Sequence, residues 1–218
     1  MTSDAAINQG LRERKKQRTR RAIADIAFGL FAERGFDAVT VAEVARAAEV
    51  SVNTIFNYFG SKEDLFFDRQ EEVEGTWGRV VRAREPGESA VSALRRNFLD
   101  ALARRDPYSG LNDDLVTFAR LVEASPTLRG REREIGEHSE AALARTLAEE
   151  TDAAADDLTP RIVASQIAGV YRTLFAESRR RLLAGERADA IYPVVRRAAE
   201  LAFDLLERGT GDYCRRTD

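Results

Sequence analysis

Residues 40–62 read TVAEVARAAEVSVNTIFNYFGSK, and this stretch decides the fold. Thr40 stands before an apolar stripe of Val41, Val44, Ala45 and Ala48, with Glu43 three residues on, the spacing of a capping box that starts a helix. The stripe lasts about two turns, then Glu49 and Val50 interrupt it. Ser51 is a second cap residue, and a second short helix is expected through Tyr58, broken by Gly60. Two short capped helices this close leave room only for a tight turn. Small residues, Ala45, Ala47 and Ala48, fall where the helices must approach. That is the helix-turn-helix pattern, in which the second helix enters the major groove of DNA.

On that second helix Ile55 and Phe59 are expected to face inward, with Val52 and Phe56 at the edge of the same face. Asn53, Thr54, Asn57 and Tyr58 are expected outside. Asn53 and Asn57 are four residues apart, so both amides project from one side. An amide can accept from N6 and donate to N7 of adenine, two bonds to one base edge. Thr54 offers a hydroxyl for a phosphate and a methyl for thymine. Tyr58 and Lys62 are placed to bond phosphate, and Thr40 sits at a helix N-terminus, where free amides and the dipole favour an anion. Taken singly, each of these reads equally well as an ordinary cap or surface polar residue.

Upstream, Ile23, Ile26, Ala27, Leu30 and Phe31 mark one face of a helix from Thr19 to about Arg34. Gly35 supplies its left-handed stop, and Phe36 can fold back on its end. Residues 11–21, LRERKKQRTRR, hold seven basic side chains against Glu13 alone. The whole chain has a net charge of −3. Residues 1–66 carry ten Lys/Arg against nine Asp/Glu and the remainder 24 against 28, so positive charge gathers at the start. Such an arm can neutralise phosphates, Arg18 being the contact assigned here, although a solvated tail has the same composition. Residues 1–13 read as a disordered lead-in, 14–66 as a DNA-binding domain and 67–218 as a helical body.

Downstream, Ser61 caps a long helix expected over Lys62–Arg84 and ended by Pro86-Gly87. Five more follow at Ser89–Arg105, Asp113–Glu123, Thr127–Glu150, Pro160–Ala184 and Arg187–Arg208, about nine in all. Alternating β-branched runs are absent, while Ala, Leu, Arg and Glu dominate, so the fold class is all-α. Among 218 residues, 44% are hydrophobic and 33% charged, the balance of a globular protein. No apolar run reaches the roughly 20 residues of a membrane span, and the basic start lacks the apolar core of a signal peptide. A cytoplasmic protein without a membrane partner is the expectation. One cysteine, Cys214, excludes an intrachain disulfide. With one histidine, His138, it leaves no soft-ligand metal site, and no cofactor is expected.

Residues from about Arg18 to Phe66, through the blocks AERGFDAVTVAEVARAAEVS and TIFNYFGSKEDLF and their spacing, resemble the DNA-binding head of TetR-family regulators. The resemblance covers about a quarter of the chain. It implies a three-helix head on a helical regulatory body, a homodimer formed through the last two long helices, and repression relieved by a small ligand that favours a splayed pair of heads. Thr40, Thr54, Tyr58 and Lys62 keep the family pattern. Phe56 stands where many relatives have tyrosine, Ala42 where many are polar, and Val52 and Asn53 where sequence varies with the operator.

The stripes of 160–184 and 187–208 could equally bury against the chain's own core; the resemblance favours a two-fold partner. It would place two heads on successive major grooves of a near-palindromic double-stranded site, about 34–36 Å apart. Trp77, Phe98, Phe118, Leu121, Tyr171 and Phe175 are candidate liners of a pocket for an apolar or aromatic effector, each also readable as plain core. An enzyme is disfavoured: there is no Ser-His-Asp order and no phosphate-cradling glycine loop, so no catalytic residue is assigned. An activator of the same fold, or a helical scaffold without specific DNA binding, stays open.

Overall fold

A computed structural model of the chain describes residues 2–68, 74–106 and 115–216, with side chains from residue 14 onward in the first helix. The described residues form ten α-helices and no strand, which bears out the all-α expectation. They are α1 Thr2–Arg34, α2 Val41–Ala47, α3 Val52–Tyr58, α4 Lys62–Phe66, α5 Thr76–Arg82, α6 Ala90–Ala103, α7 Leu115–Ala124, α8 Pro126–Glu150, α9 Thr159–Leu183 and α10 Ala188–Thr210.

Three expectations change. Helix α1 starts at Thr2, where a disordered lead-in was read. Its Ala-, Arg-, Lys- and Gln-rich composition has the propensity to continue a helix once the downstream turns are nucleated. Among the described residues the single helix expected over Lys62–Arg84 is interrupted, α4 ending at Phe66 and α5 beginning at Thr76. Phe67 leaves helical geometry (φ −100°, ψ 48°). Its ring meets that of buried Phe66 edge-on at 4.9 Å, and Gly75 precedes α5 as its N-cap. Lastly, the chain divides into two compact units, 1–70 with 121–131, and 71–120 with 132–218, so the head includes a segment assigned to the body.

In the head unit Ile23, Ala24, Ala27 and Phe31 of α1 are buried with Phe36, Val44, Ala45, Ile55, Phe59, Leu65 and Phe66. Ile26, expected inside, is 37% exposed, because the stripe actually used runs 23, 24, 27, 31. Gly35 has φ +84° and donates to the Phe31 carbonyl at 2.8 Å, the expected stop. Phe36 folds back to 5.0 Å from Phe31. The added segment is held by polar bonds as well as by buried Val122 and Leu128. Ser125 donates to the Asp37 carboxylate at 3.0 Å, and Arg131 pairs with Asp64 at 2.9 Å.

In the other unit α10 carries two apolar stripes. Ile191, Val195, Ala199 and Phe203, spaced by four, are wholly buried. Val194, Leu201 and Leu205 are 39%, 60% and 59% exposed, and Leu158 and Ile162 at the start of α9 are 58% and 54% exposed. Gly78 of α5 lies so close to α8 that a Cβ there would stand 2.7 Å from Thr146 Oγ1. Arg84 is buried, and a buried guanidinium has to be satisfied. It donates to the carbonyls of Val81 and Cys214 and to Glu150, fastening the C-terminal stretch. No helix among the described residues is long and apolar enough to cross a membrane.

Candidate nucleic-acid interface

The turn between α2 and α3 is built as the spacing predicts. The Thr40 hydroxyl accepts from the Glu43 amide at 3.3 Å, while the Glu43 carboxylate accepts from the Thr40 amide at 2.8 Å, closing a capping box. Arg34 also reaches Glu43 at 2.8 Å. The Thr40 amide, then Arg34 and the Thr40 hydroxyl, hold the Glu43 carboxyl down at about 2. Between the helices Glu49 takes φ +54°, a left-handed conformation that costs an L-residue about 1–2 kcal/mol. Val50 then donates to the Ala45 carbonyl at 2.9 Å, and the Ser51 hydroxyl caps α3 by accepting from the Thr54 amide at 3.0 Å.

Helix α3 is fixed from beneath by Ile55 and Phe59, 1% and 2% exposed. Asn53 and Asn57 are exposed, and among the described residues neither amide is tied to another side chain. Val52 and Phe56 depart from expectation. At 40% and 52% exposed they share no inward face. Successive residues turn by about 100°, so 52, 53, 56 and 57 occupy one arc, and Ile55 with Phe59 already fills the space below. The Thr54 hydroxyl is 2.8 Å from that of Ser51, within the cap. Tyr58 is half-buried at the end of α3, and Arg18 is exposed on α1.

Two assigned phosphate contacts are engaged inside the head. Lys62 donates to the Phe36 carbonyl at 2.6 Å, and its ammonium lies 4.2 Å from the centre of the Phe36 ring. Burial lowers its pKa from the ordinary lysine value, with Asp37 and Glu63 opposing. It acts as a bolt between α4 and the loop after α1. Thr40 is likewise committed to its capping box, whose carboxylate already occupies that N-terminus.

Arg20 is the residue sequence reasoning missed. Its guanidinium lies 4.3 Å from the centre of the Phe59 ring and donates to the carbonyls of Tyr58 and Asp68. It thereby satisfies the last turn of α3 and ties it to the chain leaving α4. Within the basic run nothing local separates this arginine from Arg18; the signal was long-range.

Four of the six candidate effector liners converge in the second unit. Trp77 and Tyr171 are 4.7 Å apart by ring centre, Phe98 and Tyr171 5.3 Å, and Phe98 and Phe175 6.1 Å, with Phe203 closing the group. The Tyr171 hydroxyl donates to the Leu94 carbonyl at 3.2 Å, and burial pushes its pKa well up. Phe118 is half-buried on α7. Leu121 is buried but belongs to the head unit, so it leaves the set. Helical periodicity marks Leu121 as buried without saying which core it serves.

A capped two-helix turn with free amides on the outer face of its second helix defines a helix-turn-helix DNA-binding regulator. Residues 23–68 match the family model described as bacterial regulatory proteins, tetR family, and residues 88–207 that described as the MftR C-terminal domain. The chain is 32% identical over 201 residues to the HTH-type transcriptional regulator TcmR of Streptomyces glaucescens, covering 90% of this chain and 86% of that one. It belongs to the TetR family of transcriptional regulators. Solved structures share the fold. NalD of Pseudomonas aeruginosa, the secondary repressor of the MexAB-OprM multidrug efflux pump, aligns with TM-score 0.55 at 20% identity over 88% of this chain and 97% of that one. The Thermus thermophilus repressor FadR, in complex with lauroyl-CoA, aligns with TM-score 0.51 at 24% identity over 87% and 94%.

Proposed function

We propose that the chain is a cytoplasmic, homodimeric repressor that reads a near-palindromic operator through α3 and is released by a small apolar or aromatic effector. The observation that carries the reading is the outer face of α3, where Asn53 and Asn57 stand exposed one turn apart over a buried Ile55–Phe59 anchor. Those amides meet adenine edges. Thr54, Tyr58 and Arg18 meet the phosphate backbone, with Val52 at the groove. Lys62 and Thr40 serve mainly to hold α4 and α2 in place. The second apolar stripe of α10, with Leu158 just before α9 and Ile162 in its first turn, supports a dimer through the last two helices. Val194, Leu201 and Leu205 are exposed at steps of seven and four, the spacing of a helix-packing seam. The aromatic group around Tyr171 supports an apolar effector. FadR, with the same fold, holds lauroyl-CoA, an apolar chain on a polar carrier.

The test is selection of the purified protein against random duplexes at two salt concentrations, with sequencing of what is retained. A near-palindromic motif bound with a steep salt dependence supports a dimeric reader. Asn53→Ala and Asn57→Ala then each lose about 1–3 kcal/mol of discrimination at one base pair per half-site. Weak binding blind to sequence would instead support a scaffold.

A further inference from the structure

Among the described aromatic residues of the head, Phe56 alone is exposed, and Tyr58 is half-buried. Phe31, Phe36, Phe59 and Phe66 are at most 5% exposed, and Phe28 and Phe67 are half-buried. Phe56 leaves 52% of its surface in solvent, and Val52, one turn before it, 40%. On the helical wheel Phe56 lies about 60° and Val52 about 100° from Asn53, so the two form an apolar edge beside the amides, within reach of a groove wall that meets Asn53. A phenyl group has nothing to offer a phosphate. On the floor of the major groove the one apolar group is the 5-methyl of thymine. Burying apolar surface there is favourable, whereas cytosine presents an amino group that such an edge would strip of water without repayment.

We propose that Val52 and Phe56 form an apolar reading edge for thymine methyl groups, making this chain's operator specific for thymines beside the adenines met by Asn53 and Asn57. The inference rests on α3 being the DNA-reading helix. Positions 52 and 56 are separated by about 6 Å along the helix, close to two base steps. The methyls read by the two side chains therefore lie within about two base pairs of each other in each half-site.

Uracil substitution isolates the methyl, because it leaves every hydrogen-bonding group of thymine in place. In the selected operator each thymine is replaced by uracil in turn, and dissociation constants are measured for the wild-type chain and for Val52→Ala, Phe56→Ala and Phe56→Tyr. The wild-type chain should lose about three- to fivefold at one or two thymines per half-site and nothing elsewhere. Phe56→Ala should abolish the sensitivity at one of these positions and Val52→Ala at its neighbour, while Phe56→Tyr keeps both. Since both side chains are exposed, melting curves of the variants should match the wild type, which separates lost reading from lost folding. Tolerance of uracil at every position, or sensitivity unchanged in both alanine variants, overturns the proposal. Failure to select any operator would instead remove the DNA-reading assignment, and this inference with it.

Discussion

Single residues in this head do three different jobs, and neighbours in sequence do not share them. Arg18 is exposed, while Arg20 is folded over Phe59 and holds the Tyr58 and Asp68 carbonyls. Arg18→Gln should therefore weaken specific and non-specific DNA binding alike and lower the salt slope by about one. Arg20→Gln should leave the slope unchanged and lower the ratio of specific to non-specific binding by about tenfold, the scale of one charge-assisted hydrogen bond. Binding titrations across a salt series decide between these outcomes. Equal loss of slope in both variants would put Arg20 on phosphate too. Glu49 makes the opposite point, since it holds φ +54° without a glycine. Glu49→Gly relieves about 1–2 kcal/mol of backbone strain, part of which is offset by the greater freedom of the unfolded chain. The head should gain about 0.5–1 kcal/mol and melt a few degrees higher, read by calorimetry. The exposure of Asn53 and Asn57 was legible because it depends on spacing within one helix. Arg20, the inward turn of Lys62 and the exposure of Phe56 were not, because each depends on partners 26 to 48 residues away or on space already filled by Ile55.

Elements were legible wherever a local chemical signal set their ends. Thr40, Ser51 and Ser61 each cap a helix where the spacing placed a cap, and Ser89, read as the first residue of its helix, caps it instead. Gly35 ends α1 in the left-handed conformation. The failures fall where packing overrode periodicity: α4 stops at Phe66 because the next ring packs on it, and residues 121–131 join a head far from them in sequence. The capping box of α2 supports a pH prediction. The Glu43 carboxyl titrates at about 2 in the folded chain against an ordinary 4.5, chiefly through the Thr40 amide and Arg34. A depressed folded pKa means that its stabilisation is fully present above the unfolded value and is lost as pH falls from about 4.5 towards 2. Glu43→Gln should flatten that part of the stability–pH curve while lowering stability at neutral pH. Denaturant melts at pH 3, 4 and 6 measure it, and a curve equally steep in the variant would assign the acid loss to other carboxylates.

For the molecule as a whole, the proposed function requires two heads and a body able to bias them. The second apolar stripe of α10 is already exposed in the single chain, so Leu201→Glu with Leu205→Glu should leave helix content unchanged. The pair should convert a dimer to a monomer in sedimentation equilibrium, with operator affinity falling as one head is lost. A variant that stays dimeric would move the interface off this stripe. The effector's action is a coupling between sites, and coupling is reciprocal. Trp77 is the chain's one tryptophan and its ring lies 4.7 Å from that of Tyr171, tilted by 49°, so a ligand entering the aromatic group should change its fluorescence. A long-chain acyl compound, of the apolar class proposed above, is a suitable first probe. If it binds there and releases the operator, adding operator should raise its dissociation constant, read at Trp77, by the same factor by which it raises the operator's. A typical factor is about 5–150. Phe98→Leu should alter the fluorescence titration while changing operator affinity in the ligand's absence little, whereas Phe98→Ala would open a core cavity costing about 3–5 kcal/mol. Fluorescence quenching with no change in operator affinity would make the aromatic group a binding site uncoupled from the heads, and repression would then need another trigger.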